Sequence, residues 1–182
     1  MKLIALSAAA TLLIALSAQA NLVSNGDFES GTLGPWTGIN VNVTDNAADV
    51  HGGTYAAELT ALASTLTQNV AVSGGQTYLL DFWAKANGPG VLTIGLDSAP
   101  SIFLDSPPSL ANGYQEYHFL ITPAEAGDLS FSWNDNNVDD AFIDDVSLVA
   151  VPEPSTVVSG AILLLAFGMT AVRLCNQIRA RV

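Results

Sequence analysis

The sequence is 182 residues long, 49% hydrophobic and 12% charged, with 17 Asp and Glu against five Lys and Arg. Its formal charge of −12 excludes a surface built for nucleic acid or anionic lipid heads, since both need Lys and Arg on the protein. Its single cysteine, Cys175, excludes a disulfide within the chain, so burial must hold the fold, with a structural metal ion as the other device open to it.

In chain order, Met1 and Lys2 precede an apolar run over residues 3–16 and the small-residue pattern Ala18-Gln19-Ala20. This predicts a secretory signal peptide over residues 1–20, cleaved before Asn21. Residues 21–150 then suffice for one domain of ordinary size. Within them Lys85 is the only Lys or Arg against 16 acids, a balance of −15. Such a surface is compatible with neutral glycans and divalent cations, and acid excess also keeps an exported protein soluble.

No long segment of residues 21–150 has helical periodicity. Short runs alternate apolar and polar residues instead: Tyr78, Leu80, Phe82 and Ala84; Leu92, Ile94 and Leu96; Gln115, Tyr117, Phe119 and Ile121; Leu129, Phe131 and Trp133. Residues 21–31 read as the first strand and 141–149 as the last. Gly74-Gly75, Gly88-Pro89-Gly90 and Ala111-Asn112-Gly113 mark turns, and residues 98–113, with Pro107-Pro108, read as a long loop without a strand. The pattern predicts an all-β fold, an antiparallel β-sandwich.

Both end strands carry carboxylates, Asp27 and Glu29 in one, Asp144 and Asp145 in the other. Side by side they would supply oxygens for calcium, which takes about six to eight, with backbone carbonyls near Asn25 and Gly53. The alternative is that Asp27 and Asp145 cap turns. His51, beside two glycines, reads as a turn residue. Asp135, Asp139 and Asp140 interleave with asparagines but lack EF-hand spacing, and read as a polar hairpin loop.

If Tyr78, Leu80 and Phe82 face the core, Leu79, Asp81, Trp83 and Lys85 face outward. Tyr114, Glu116 and His118 likewise fall opposite Tyr117 and Phe119. Asp81, Trp83, Tyr114, Glu116 and His118 are thus candidates for a glycan surface, in which rings pack on sugar C–H faces and polar groups bond hydroxyls. The alternative is a covered outer layer with Trp83 in the core, where Trp36 and Trp133 are expected. No nucleophile-elbow, zinc-protease or phosphate-loop motif occurs in the sequence, so a binding role is expected rather than catalysis.

The last segment begins Val151-Pro152-Glu153-Pro154-Ser155, where proline enforces an extended linker over residues 151–155. Residues 156–172 are 17 positions without a charge, about 25 Å as a helix, which predicts a short transmembrane helix. Arg173, Arg179 and Arg181 follow, placing residues 173–182 in the cytoplasm and the domain outside. Pro152, Glu153, Pro154, Ser155, the apolar helix and Arg173 together resemble the PEP-CTERM sorting signal. That resemblance implies processing by an exosortase, a membrane cysteine peptidase of exopolysaccharide-producing Gram-negative bacteria. The tail LCNQIRARV is looser than the compact arginine cluster usual in that family.

A second resemblance covers nearly all of residues 21–150. Asn25-Gly26-Asp27-Phe28-Glu29, Pro35-Trp36, His51-Gly52-Gly53-Thr54-Tyr55, Gly75-Gln76-Thr77-Tyr78, Phe82-Trp83-Ala84 and Ile143-Asp144-Asp145-Val146-Ser147-Leu148 are similar to galactose-binding-like jelly-roll domains, including carbohydrate-binding modules of the family 4, 9 and 22 type. The resemblance implies a structural calcium joining the first strand, the loop at residues 51–54 and the final acidic strand, with Glu29 and Asp145 as side-chain ligands and Asp27 next. The expected function is that of an exported, noncatalytic surface or matrix protein, sorted by its C-terminal signal and associating with polysaccharide. A structural envelope protein without a glycan site, and a glycoside hydrolase, are the alternatives.

Overall fold

The computed structural model describes residues 19–60, 63–96, 99–105, 113–134 and 139–152. The expected signal peptide up to residue 18, the sorting residues Glu153, Pro154, Ser155 and Arg173, the span 156–172 and Asp135 lie outside them. Among the described residues no helix is long and apolar enough to cross a membrane. Gln19–Val151 form one compact unit.

That unit is a sandwich of two five-stranded sheets, antiparallel at every pairing. Its strands are β1 (Thr37–Ile39), β2 (Val41–Thr44), β3 (Ala56–Leu59), β4 (Ser64–Val70), β5 (Tyr78–Ala86), β6 (Val91–Leu96), β7 (Ile102–Asp105), β8 (Gln115–Ile121), β9 (Gly127–Asn134) and β10 (Ala141–Ala150). The first sheet runs β1-β4-β9-β6-β7 and the second β2-β3-β10-β5-β8. Strand alternation builds the core: Leu66, Phe131 and Ile94 form one buried row across the first sheet. Phe82 of the second sheet reaches across to Phe131 at 5.1 Å between ring centroids, edge to face. Trp36 and Trp133 are buried, as expected.

Two sequence expectations need correction. Residues 21–31 do not form a strand, because Asn25, Phe28 and Gly31 adopt positive φ of 51°, 52° and 69° and fold the segment into successive turns. The segment still lies along the last strand: the Leu22 amide donates to the Leu148 carbonyl and the Val146 amide to the Gly26 carbonyl, both at 2.9 Å. Its turns are held by Asn25, whose side chain donates to the Thr32 and Leu33 carbonyls and accepts from the Ser30 amide. Phe28 is thereby driven into the core against Trp36. The region expected to be a strandless loop contains β7, which pairs with β6 through Ile102, Phe103, Leu104 and Asp105. Its apolar residues were outweighed by the flanking prolines.

The chain also changes sheets within a few residues. β1 belongs to the first sheet and β2 to the second, and Asn40 between them turns the corner at φ 54°. Its side chain donates to the Ala63 carbonyl, and its own carbonyl accepts from the Thr60 amide.

A side chain at Gly26 would place its Cβ 2.0 Å from the Val146 carbonyl oxygen. Gly26→Ala should therefore lower unfolding stability by about 1–3 kcal/mol in chemical denaturation, as overpacking does. An unchanged midpoint would show that the N-terminal turns are not seated on β10.

Candidate functional site

The outward positions of the second sheet follow from its register. Trp83 on β5 lies between Asp144 on β10 and Glu116 on β8, and Asp81 lies between Ser147 and His118. Beside them runs an apolar row of Val149, Leu79 and Leu120. A β-bulge between Asp144 and Ser147, with Asp145 at φ 50°, interrupts the middle of β10, where Asp144 and Asp145 meet the loop joining β2 and β3, residues 45–55.

That loop covers part of this face. Asp144, fully buried, accepts at Oδ2 from the His51 and Gly52 amides (3.0 and 3.1 Å) and at Oδ1 from the Asp145 amide (2.8 Å). Burial pushes its carboxyl up to about 6, against the lowering effect of those amides. Lys85 donates to the Asp49 carboxylate at 2.7 Å and to the Ala48 carbonyl at 2.5 Å, with its ammonium 4.8 Å from the Phe142 ring centroid. The only lysine or arginine of residues 21–150 is thus buried and spent on holding the loop. Tyr114 donates its hydroxyl to the Asp49 carbonyl, and burial followed by the Asp144, Asp49 and Asp145 charges raises its pKa.

His51 is the centre of the covered region. Its ring stacks on Trp83 at 3.8 Å and 14°, meets Tyr114 edge-on at 5.3 Å, and places Nδ1 2.7 Å from Asp145 Oδ2. The structure therefore brings Trp83 and Tyr114 together, but one face of the Trp83 ring is taken by His51. Asp81, Glu116 and His118 form a separate exposed group, with His118 Nδ1 2.6 Å from Asp81 and Nε2 3.5 Å from Glu116. The bond to Asp81 is the largest cause holding the His118 pKa above its ordinary value.

The three residues expected to ligate calcium are placed differently. Glu29 Oε1 accepts from the Thr54 and Tyr55 amides at 2.7 and 2.9 Å, and a Cβ on Gly53 would fall 2.4 Å from that oxygen. Asp145 Oδ2 lies 3.1 Å from where a Gly52 Cβ would be. Two carboxylates therefore flank the Gly52-Gly53 dipeptide, and the glycines make room for them. Carboxylate oxygens are the donors a hard cation takes, and Glu29 and Asp145 are the residues that would hold one. Asp27 turns instead onto its own segment, accepting from the Glu29 amide at 3.4 Å. Sequence reasoning offered Asp144 only as one of four carboxylates for calcium and His51 only as a turn residue; it missed the amides that Asp144 accepts and the stacking of His51 on Trp83. The usable signal was the outward position of Asp144 on a central strand, which demands partners.

The outer face of the first sheet contrasts with this. Register and alternation put Ile39, Thr65, Ser132, Thr93 and Phe103 in one row across all five strands. Thr37, Thr67, Ser130 and Gly95 form the next. Five strands at about 4.8 Å spacing make a row about 19 Å long. Hydroxyls line it and two apolar groups end it, Ile39 at 65% and Phe103 at 67% exposure.

Residues 20–126 match the sequence profile of the carbohydrate binding domain family CBM_4_9. The chain belongs to that family. Solved structures show the same fold for this carbohydrate binding domain. TmCBM61, in complex with β-1,4-galactotriose, superposes with a TM-score of 0.57 at 22% identity, over 72% of this chain and 99% of that one. The family 16 carbohydrate binding module-2 gives 0.53 at 23% identity, over 71% and 99%. The CBM22-1 xylan-binding domain from Paenibacillus barcinonensis gives 0.57 at 14% identity, over 75% and 97%. The expected two-sheet jelly-roll-like sandwich is what these share with the chain. No curated protein matches the sequence.

In an NMR titration the His118 ring should protonate with a midpoint above 6.5, and Asp81→Asn should bring that midpoint down. Because the folded pKa is raised, this pair stabilises the fold below about pH 6.5 and is lost as pH rises through the folded value. An unshifted midpoint would mean that the pair does not form.

Proposed function

We propose that this protein is an exported, noncatalytic surface or matrix component that associates with neutral polysaccharide through the outer face of its first sheet. The observation that carries the reading is that open row of hydroxyls ending in exposed Phe103 and Ile39, on a domain of a carbohydrate-binding family. A ring supplies an apolar platform for sugar C–H faces, and Thr and Ser both donate and accept toward sugar hydroxyls. With Lys85 held by Asp49, residues 21–150 have no lysine or arginine to offer an acidic glycan. The ligands named for two structural neighbours, β-1,4-galactotriose and xylan, supply the class of chain we extend to this protein.

The group Asp81, Trp83, Tyr114, Glu116 and His118 is the second candidate surface. It is favoured by the exposed Asp81–His118–Glu116 polar group, and opposed by the His51 ring lying on Trp83. A noncatalytic role accords with how the acids are used: Asp144 and Glu29 accept backbone amides, and Asp81 and Asp145 face histidines. Export, exosortase processing and delivery to the cell surface or exopolysaccharide rest on the sequence of both chain ends. Calcium on Glu29 and Asp145 is proposed as a structural ion that neutralises two carboxylates beside one loop.

Binding of Gln19–Val151 to the host's own exopolysaccharide and to neutral glycans should saturate. Phe103→Ala should weaken it by about tenfold, since losing an aromatic anchor costs on the order of 1–2 kcal/mol. Loss in Trp83→Ala with Phe103→Ala unchanged would move the site to the second sheet. No retention on any glycan would leave a structural envelope protein. Separately, calcium should raise the melting temperature and a chelator should reverse the rise. A melting temperature indifferent to both would remove the calcium site.

A further inference from the structure

We propose that Lys85 and Asp49 condense into an amide that ties the loop of residues 45–55 covalently to β5. Lys85 carries the only side-chain amine of residues 21–150, and its Nζ lies 2.7 Å from Asp49 Oδ1. Both side chains are largely shut off from solvent, at 6% and 16% exposure. Phe142 points outward between the core-facing Ala141 and Ile143, yet it is buried, and its ring centroid lies 4.8 Å from Nζ. The Tyr114 ring stands 5.6 Å from the same nitrogen. Amine and carboxylate therefore meet between two aromatic rings, where keeping both charged is costly and converting them to a neutral amide removes that cost.

Asp49 is held for attack from one side. Asn46 Nδ2 donates to Asp49 Oδ2 at 2.6 Å, while the Asp49 amide donates to the Asn46 carbonyl at 2.7 Å. Lys85 takes the other oxygen and is aimed by its bond to the Ala48 carbonyl. In the step, one proton crosses from Nζ to Oδ1 and the nitrogen lone pair attacks Cγ. Negative charge gathers on Oδ2, where Asn46 already donates. The bond from Cγ to Oδ1 then breaks, a second nitrogen proton goes to that oxygen, and it departs as water. Ammonium and carboxylate become amide and one water, with no oxidant or co-reactant. Glu58 follows Phe142 in the same cross-strand row, and burial first, then the Asp140 charge, holds its pKa above the ordinary value, which suits it to relay a proton. Placement within one folded chain favours the reaction, since effective molarities of well-oriented groups reach about 10⁵–10⁸ M. The bond closes a ring between positions 36 apart and restrains the unfolded chain as a disulfide would. This inference rests on neither glycan nor calcium binding.

Trypsin acting on the denatured full chain tests it, because Lys85 is the one tryptic position of residues 21–150. An acylated lysine has lost its charge and is not cut, so residues 21–150 should stay in one piece. The intact mass should fall short of the sequence mass by one water, and tandem mass spectrometry should find the peptides of residues 49 and 85 joined. Asp49→Ala and Lys85→Arg should each restore cleavage after residue 85 together with the missing water. Both readouts are taken on denatured chain, so a variant that folds poorly is still scored. A native chain cut completely after Lys85 and carrying its full sequence mass holds an ion pair only, and overturns the proposal. A one-water deficit that maps to other residues, or that persists in both variants, overturns it equally.

Discussion

A single buried carboxylate organises one whole side of this protein. Asp144 sits on a central strand, fully buried, and takes amides from His51, Gly52 and its own neighbour Asp145. Hydrogen bonds to a charged group contribute about 1.5–3 kcal/mol each, and a buried carboxylate without them would be costly. The loop of residues 45–55 therefore has to descend onto the second sheet. Once it is down, Lys85 finds Asp49, Tyr114 finds the Asp49 carbonyl and His51 lands on Trp83. The loop is a necessary partner of the strand beneath it.

The same arrangement makes the two faces of the sandwich chemically unlike. The second sheet is partly closed over, with its one cation consumed and its tryptophan capped. The first stays open, and its outward residues are mostly short hydroxyl side chains. Gly95 keeps that face shallow, since a Cβ there would sit 2.9 Å from Ser130 Oγ. One face thus concentrates charge beneath and beside a closed loop. The other offers hydroxyl groups and an aromatic ring, suited to an uncharged chain.

Much of the fold was legible because strand alternation leaves a direct imprint on sequence. The inward residues Tyr78, Leu80 and Phe82, and Leu129, Phe131 and Trp133, carry that period and all are buried. What escaped reading was governed by backbone and by distance. Asn25 and Phe28 in left-handed conformations convert an apparent strand into turns, and a phenylalanine at positive φ is not something sequence patterns announce. β7 was hidden by the prolines around it. Of the second-sheet cluster the sequence offered residue types alone, Trp83 and Tyr114 as outward aromatics, Asp145 as a carboxylate and His51 as a turn residue. The first-sheet row ending in Phe103 and Ile39 was not read, because isolated Thr and Ser carry no signal of their own. The partnership within the cluster was not legible either, because His51 and Asp145 are 94 positions apart and meet only through the loop that Asp144 draws in.

The chain leaves the sandwich through β10, whose neighbours β3 and β5 hold it on both sides. Beyond its last residue, Val151 still donates to the Thr77 carbonyl and accepts from the Gln76 side chain. Any load applied along this strand through the residues that follow is therefore resisted by two ladders in shear, where many bonds must yield together. An edge strand would instead peel, one bond after another. A pull on the residues that follow is therefore spread over the β5 ladder along Ala141–Ala150 and the β3 ladder at Ala141–Ile143, without help from a disulfide.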